Sequence, residues 1–505
     1  MKRKLLCTLL VLVTLYCNAQ HTVQTTLNGS VKNANGEIVT LIYRSFLRGS
    51  LNPLGFNSMG TQISKEGKFT LKSDKILDGS EYYIIFNDKS ITGLVLFEGD
   101  NVNLNFDINK PSETLFATGK GAGKINMMHL PQFDDEFMEE MTPSEYAAYL
   151  DSLSSAKMVL LDAVYKKEKT NKAITNAENS EVLERIINES PLSSKEYDFL
   201  KSIIELQKFE IAVFLEYKSE EMEGKRIDFS DPVYKPFNAS EYKKITSVNN
   251  CYPAYIVYLI LRVEYLKSLK DKELYYENWY EYVSEEDFIN WEEKFLSENF
   301  TPEVRDRYYS EVFSWLVSMG QPYDKYSKQL DYLQNNANSE SYQKSVDFIK
   351  LMETGLTDKK YNLGGDTKQL DRQKLEAILK KYSNKKNVLL VFWSVEFAGS
   401  SILNQIPSLQ HLQKEKDLQI VYIGIDRAEL KNLWAARIID NNWKGEHYFM
   451  PIEGNEDSLK KFSSDDIYAF CDGGATFTVV TKNNTVLNKV ENSYQLAAGK
   501  IKKYL

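Results

Sequence analysis

No Cys-x-x-Cys pair occurs in this chain, whose 4 cysteines stand apart at positions 7, 17, 251 and 471. A thiol–disulfide cycle that needs a nucleophilic and a resolving cysteine in one motif has no seat here. Histidine is equally sparse. His21, His129, His411 and His447 are isolated, with no paired metal-ligand spacing, so neither a metal nor a cofactor is expected. Positive charge is short as well: a net charge of -9 and a pI near 5.4 provide no basic face to displace counterions, which excludes nucleic acid as a partner. Beyond the N-terminus no apolar run approaches the ~18 residues that a spanning helix requires, so no transmembrane segment is expected in the mature chain.

The N-terminus reads as a signal peptide over residues 1–19. Lys2-Arg3-Lys4 precedes the apolar run Leu5 to Tyr16, and small residues at Cys17 and Ala19 suit cleavage before Gln20. Tyr16 is a poor fit to the small residue that a lipoprotein site wants before its cysteine. Export to the periplasm or cell envelope as a soluble protein is therefore favoured over lipidation at Cys17. Cleavage would leave Cys251 and Cys471, which fall in different expected domains and are read as buried free thiols.

Aromatic side chains are plentiful, with 32 Tyr and 25 Phe, and they point first to packed helix interfaces and second to a sugar- or peptide-binding surface. A length of 505 residues predicts two to four domains. Residues 20–125 alternate as half-buried strands do, most clearly at Val102, Leu104, Phe106 and Ile108, and turn signals recur at Asn35-Gly36, Glu66-Gly67, Asp78-Gly79 and Gly99-Asp100. The pattern predicts a small antiparallel β-sandwich. Gly119-Lys-Gly-Ala-Gly-Lys124 lacks the spacing and the Ser/Thr of a phosphate loop, since Ile125 follows the lysine, and is read as a hinge.

From 130 to 365 the period becomes helical. Thr142-Pro-Ser-Glu145 and Ser193-Ser-Lys-Glu196 are capping boxes, with Pro143 in a first turn. Leu200, Ile203, Ile204, Ile211, Phe214 and Leu215 are expected on one helix face, and further helices are predicted near 253–270, 302–319 and 339–353. Residues 366–505 recover an α/β order. Helices are expected at 370–382, 400–414, 429–440 and 494–503, and strands at 388–393, 418–425, 475–481 and 485–490. The fold class is thus multidomain α+β: β-sandwich, helical middle, C-terminal α/β domain.

Leu27-x-Gly29, Glu66-Gly-Lys-Phe69 and Phe97-Glu-Gly-Asp100 resemble a β-domain of unknown function that precedes exported thioredoxin-like domains in Gram-negative bacteria. Phe392-Trp393, Ile406-Pro407, Ile420 to Asp426, Trp434, Trp443 to Tyr448 and Ala475-Thr-Phe477 together resemble the TlpA/ResA-like branch of exported thioredoxin-fold proteins, which are thiol–disulfide oxidoreductases. The resemblance implies a thioredoxin-like domain over 366–505 whose site has lost its chemistry. By its register Ala398 and Ser401 occupy the two cysteine positions, with Gly399 and Ser400 between them, Ala475 replaces the cis-proline, and Val391 stands where a buried acid is common. A serine hydroxyl forms no disulfide, and Ser400 or Ser401 serves best as an N-cap. Trp393, Glu396, Phe397 and Thr476 are expected to line any inherited groove.

The resulting expectation is an envelope protein that binds a protein or peptide partner without turnover. The alternative is an oxidoreductase of the TlpA type working through Cys471 as a monothiol. A third reading has the β-domain dock to an envelope protein or glycan. Pairing Ser400 or Ser401 with His447 as a hydrolase is the least favoured.

Overall fold

The computed structural model describes residues 24–34, 36–44, 58–86, 89–130, 141–167, 177–219, 221–245, 252–269, 273–276, 286–318, 327–336, 380–382, 387–393, 409–414, 418–427, 445–452, 476–480 and 486–490, with single positions or pairs between 377 and 443. Eight strands come first: β1 (Thr25–Lys32), β2 (Ile38–Tyr43), β3 (Ser58–Gln62), β4 (Lys68–Ser73), β5 (Ser80–Phe86), β6 (Lys89–Leu96), β7 (Asn101–Asp107) and β8 (Phe116–Lys120). They form two four-stranded sheets, ordered β4-β1-β7-β8 and β3-β2-β5-β6. Alternation does the work anticipated for it, since β4 buries Phe69 and Leu71 while its lysines face water. Both sheets feed one core, in which Phe86 of β5 stacks on Phe106 of β7 at 5.5 Å.

The expectation of a wholly antiparallel domain needs correction, because β1 and β7 pair in parallel from Thr26↔Asn101 to Lys32↔Asp107. A hairpin cannot join parallel neighbours. Here the chain passes back and forth between the sheets before β7 returns beside β1 in the same direction. The four turn glycines, Gly36, Gly67, Gly79 and Gly99, all have positive φ. Gly67 is the most constrained: its carbonyl accepts from the Val31 N–H at 2.7 Å, and a Cβ would lie 2.2 Å from the Val31 carbonyl oxygen. Gly67→Ala is expected to cost about 2 kcal/mol through left-handed strain and this clash, read as a lowered urea midpoint by circular dichroism.

The glycine-rich segment is not a hinge. It ends β8 at Lys120, turns at Gly121 and opens the buried helix α1 (Ala122–Met128), where a Cβ at Gly123 would lie 2.8 Å from the Ser190 carbonyl oxygen. Lys124 is fully buried, with Nζ 2.6 Å from Asp100 Oδ2, 2.9 Å from the Gly121 carbonyl oxygen and 3.9 Å from Glu196 Oε1. Burial, the largest influence, raises the Asp100 carboxyl above its ordinary value despite Lys124. The segment latches the sheets to the helices.

Those helices are α2 (Pro143–Lys166), α3 (Ala177–Glu189), α4 (Ser194–Leu206), α5 (Ile211–Tyr217), α6 (Tyr252–Ser268), α7 (Glu286–Asn299), α8 (Pro302–Ser318) and α9 (Ser327–Asn336). Both capping boxes form: Thr142 and Ser193 accept from the Glu145 and Glu196 N–H groups, and each glutamate reaches back to its cap. The single helical face expected from Leu200 to Leu215 is split. A 3-10 turn at Gln207–Glu210 separates α4 from α5, so Leu200, Ile203 and Ile204 enter a core with the sheets while Ile211, Phe214 and Leu215 enter a second one. On α8, Arg307 donates to Tyr43 Oη at 3.0 Å and pairs with Glu311 at 2.6 Å, while Tyr43 donates to Glu311 at 3.1 Å, which ties β2 to the helices. The helix expected at 339–353 lies outside the described residues, as do the signal segment and the helix at 494–503.

The last sheet contains β9 (Asn387–Trp393), β10 (Leu418–Arg427), β11 (Glu446–Ile452), β12 (Thr476–Val480) and β13 (Val486–Val490) in the order β11-β10-β9-β12-β13. β9, β10 and β11 run parallel, and the β12–β13 hairpin lies antiparallel to β9. This is a thioredoxin-like arrangement. β11 is an addition to the sequence-based expectation. Pro451 makes its segment read poorly as a strand, and the structure places it at an edge, where a missing N–H is tolerated.

Candidate functional site

β9 and β12 bring two of the anticipated residues to the same end of the sheet. Thr476, the first residue of β12, pairs with Phe392, so the strand carrying Trp393 ends beside the strand that Thr476 opens. Glu396, Phe397, Ala398, Gly399, Ser400 and Ser401 lie outside the described residues, as do Ala475, Cys471, Cys251 and Cys17.

Trp393 is only 2% exposed, so its indole belongs to the core and gives a partner no surface. Register explains the placement. Trp393 aligns with Gly424 of β10, and Gly424 aligns with Phe449 of β11; Val391 aligns with Tyr422, and Tyr422 with His447. Period-2 alternation puts these residues on one face of the sheet. There Trp393 meets Trp443 at 4.8 Å and Trp434 at 6.3 Å between ring centroids. Gly424 makes room for this packing, because a Cβ would lie 1.9 Å from Trp434 Nε1. A glycine inside the apolar run Ile420 to Ile425 was the sequence signal for such a close approach.

His447 is 4% exposed and stacks on Tyr422 at 4.8 Å with the rings 7° from parallel. Its Nε2 lies 3.2 Å from the Trp443 carbonyl oxygen. Burial lowers its pKa to about 4, which keeps the ring neutral at neutral pH. Enclosed in this way, His447 is a packing residue of the sheet face. The Nε1 atoms of Trp393 and Trp434, the Tyr422 hydroxyl and His447 Nδ1 are all buried without a hydrogen-bond partner. Sequence reasoning identified Trp393, Trp434, Trp443 and His447 singly, while Tyr422 was hidden in an apolar strand.

Among the described residues no group of three or more His, Cys, Asp and Glu side chains is placed to hold a metal ion, and no helix is long and apolar enough to cross a membrane. The described part of the site therefore consists of a buried aromatic floor under a strand end.

Similarity to solved structures falls on a quarter of the chain. The crystal structure of the thioredoxin domain of a thiol-disulfide oxidoreductase from Bacteroides vulgatus matches 25% of this chain and 82% of its own length, with 16% identity and a TM-score of 0.19. A solution structure of a protein assigned as a thiol-disulfide oxidoreductase, also from Bacteroides vulgatus, matches 25% of this chain and 72% of its own, with 14% identity and a TM-score of 0.18. No protein-family model matches the chain, and the comparison with curated proteins gives no match.

Proposed function

We propose that this is an exported cell-envelope protein whose C-terminal thioredoxin-like domain is redox-inactive and binds a protein or peptide partner. The observation that carries this reading is the absence of any cysteine from Val388 to Pro407, the segment that leaves β9 and should present the dithiol. Without a thiolate there is no nucleophile to attack a disulfide, and without a second thiol no mixed disulfide is resolved. Partner contacts fall to Glu396, Phe397 and Thr476, with Trp393 supporting them from the core. The free edges of the sheet, on β11 and β13, can accept an extended chain through main-chain hydrogen bonds.

The test is a disulfide-reductase assay on the mature protein with a chemical electron source, a dithiol thioredoxin as control and a parallel thiol count. Background turnover is expected, unchanged in a Cys251→Ser, Cys471→Ser double variant. Turnover above background that Cys471→Ser abolishes would overturn the proposal in favour of a monothiol enzyme.

A further inference from the structure

A polar cavity of ≈ 330 Å³ lies among α7, α8 and α9, within the size range of small-molecule sites, roughly 300–1,000 Å³. Ligand pockets are usually lined by apolar side chains with a few polar ones. This cavity inverts that balance: its lining includes Asn290, Glu293, Arg305 and Gln329, and its aromatic members are Tyr309 and Tyr332. Gln329 is the informative residue. It is 2% exposed, yet neither its amide nitrogen nor its amide oxygen has a hydrogen-bond partner. A buried primary amide left unsatisfied at both ends is costly, and rotation of the Gln329 side chain into the adjoining cavity would set both ends against a ligand.

The chemistry of the wall narrows the ligand. Glu293 and Lys294 are exposed neighbours of opposite charge at the rim. Arg305 donates to the Tyr332 hydroxyl at 3.2 Å and lies 5.2 Å from that ring, and the buried carboxylate of Asp306 acts on the same tyrosine. The charges are thus locally balanced, with no excess to attract an anion or a cation. An amide presents a donor and an acceptor side by side, the complement of two adjacent hydroxyls, and the half-buried Tyr332 ring supplies a face for C–H stacking. We infer that this cavity is a binding site for a small neutral polyhydroxylated ligand, a mono- or disaccharide, with Gln329 as its specificity-determining residue.

Saturation-transfer NMR and calorimetry on the full mature chain test this with glucose, galactose, N-acetylglucosamine and maltose as probes, and with acetate and free glutamine as comparisons. At least one sugar is expected to bind, with affinity about tenfold weaker in Gln329→Leu, the loss expected from removing a buried hydrogen-bonding group. Ser297→Trp, an exposed rim substitution that leaves the core intact, should fill the cavity and block the same sugar. The inference is overturned if no sugar binds at millimolar concentration, if acetate or glutamine binds in preference, or if folded Ser297→Trp and Gln329→Leu proteins bind sugar like the wild type.

Discussion

Lys124→Met will destabilise the protein by about 3–5 kcal/mol, the usual penalty for stranding one member of a buried ion pair. Lys124 is fully buried, and its ammonium group lies against Asp100, the Gly121 carbonyl and Glu196. Methionine fills most of the volume but leaves Asp100, which also accepts from the Phe97 N–H at 2.8 Å, as an uncompensated carboxylate. Circular dichroism should show a lowered urea midpoint, and hydrogen exchange should show lost protection over β7, β8 and α1. Tryptophan fluorescence will be less informative, because all 6 tryptophans lie at or beyond residue 279. Adding Asp100→Asn should recover part of the loss, since a neutral amide is cheaper to bury than an unpaired charge. A shift below about 1 kcal/mol in the single variant would contradict the latch described for α1.

Glu292→Gln is expected to do the opposite at alkaline pH. Glu292 is fully buried on α7; the Tyr308 hydroxyl donates to its Oε1, and its Oε2 has no hydrogen-bond partner. Burial pushes its pKa from 4.5 up to about 8, against the opposing hydrogen bond from Tyr308. In the unfolded chain the carboxyl ionises near 4.5, whereas in the folded protein it keeps its proton until about pH 8. Between those values the folded state binds the extra proton, so stability falls as pH rises, by ~1.4 kcal/mol per pH unit. The loss approaches about 5 kcal/mol by pH 8 and then levels off. Glutamine keeps the acceptor for Tyr308 and cannot ionise. Urea midpoints at pH 5 and pH 8 should therefore diverge, with the variant gaining on the wild type as pH rises. A constant difference across that range would contradict a protonated Glu292.

Much of the architecture was legible because local chemistry and the fold agreed. The capping boxes at Thr142 and Ser193 were readable because each needs only a hydroxyl and a glutamate three residues apart. β7 was readable from the alternation of Val102, Leu104 and Phe106, and β9 from its apolar run. Where local signals conflicted with tertiary context, the sequence misled. Three glycines before Lys124 look like a hinge, but Gly121 (φ 93°) and Gly123 give α1 the close approach to Asp100 and Ser190 that a side chain would obstruct. Leu200 to Leu215 share a helical period, which carries no information about a 3-10 turn that divides them between two cores.

The candidate site divides along the same line. The missing thiols between Val388 and Pro407 are a matter of composition, legible in that segment without any knowledge of its packing. Sequence alone thus determined the absence of cysteine from that segment, the periods of the strands and helices, and the caps, all of which depend on residues within a turn or two of one another. Tertiary structure decided the parallel partner of β1, the burial of Trp393 over Gly424, the neutrality of His447 and the enclosure of Gln329 beside a cavity. Each depends on groups far apart in the chain, and desolvation and pairing act only once folding has brought those groups together.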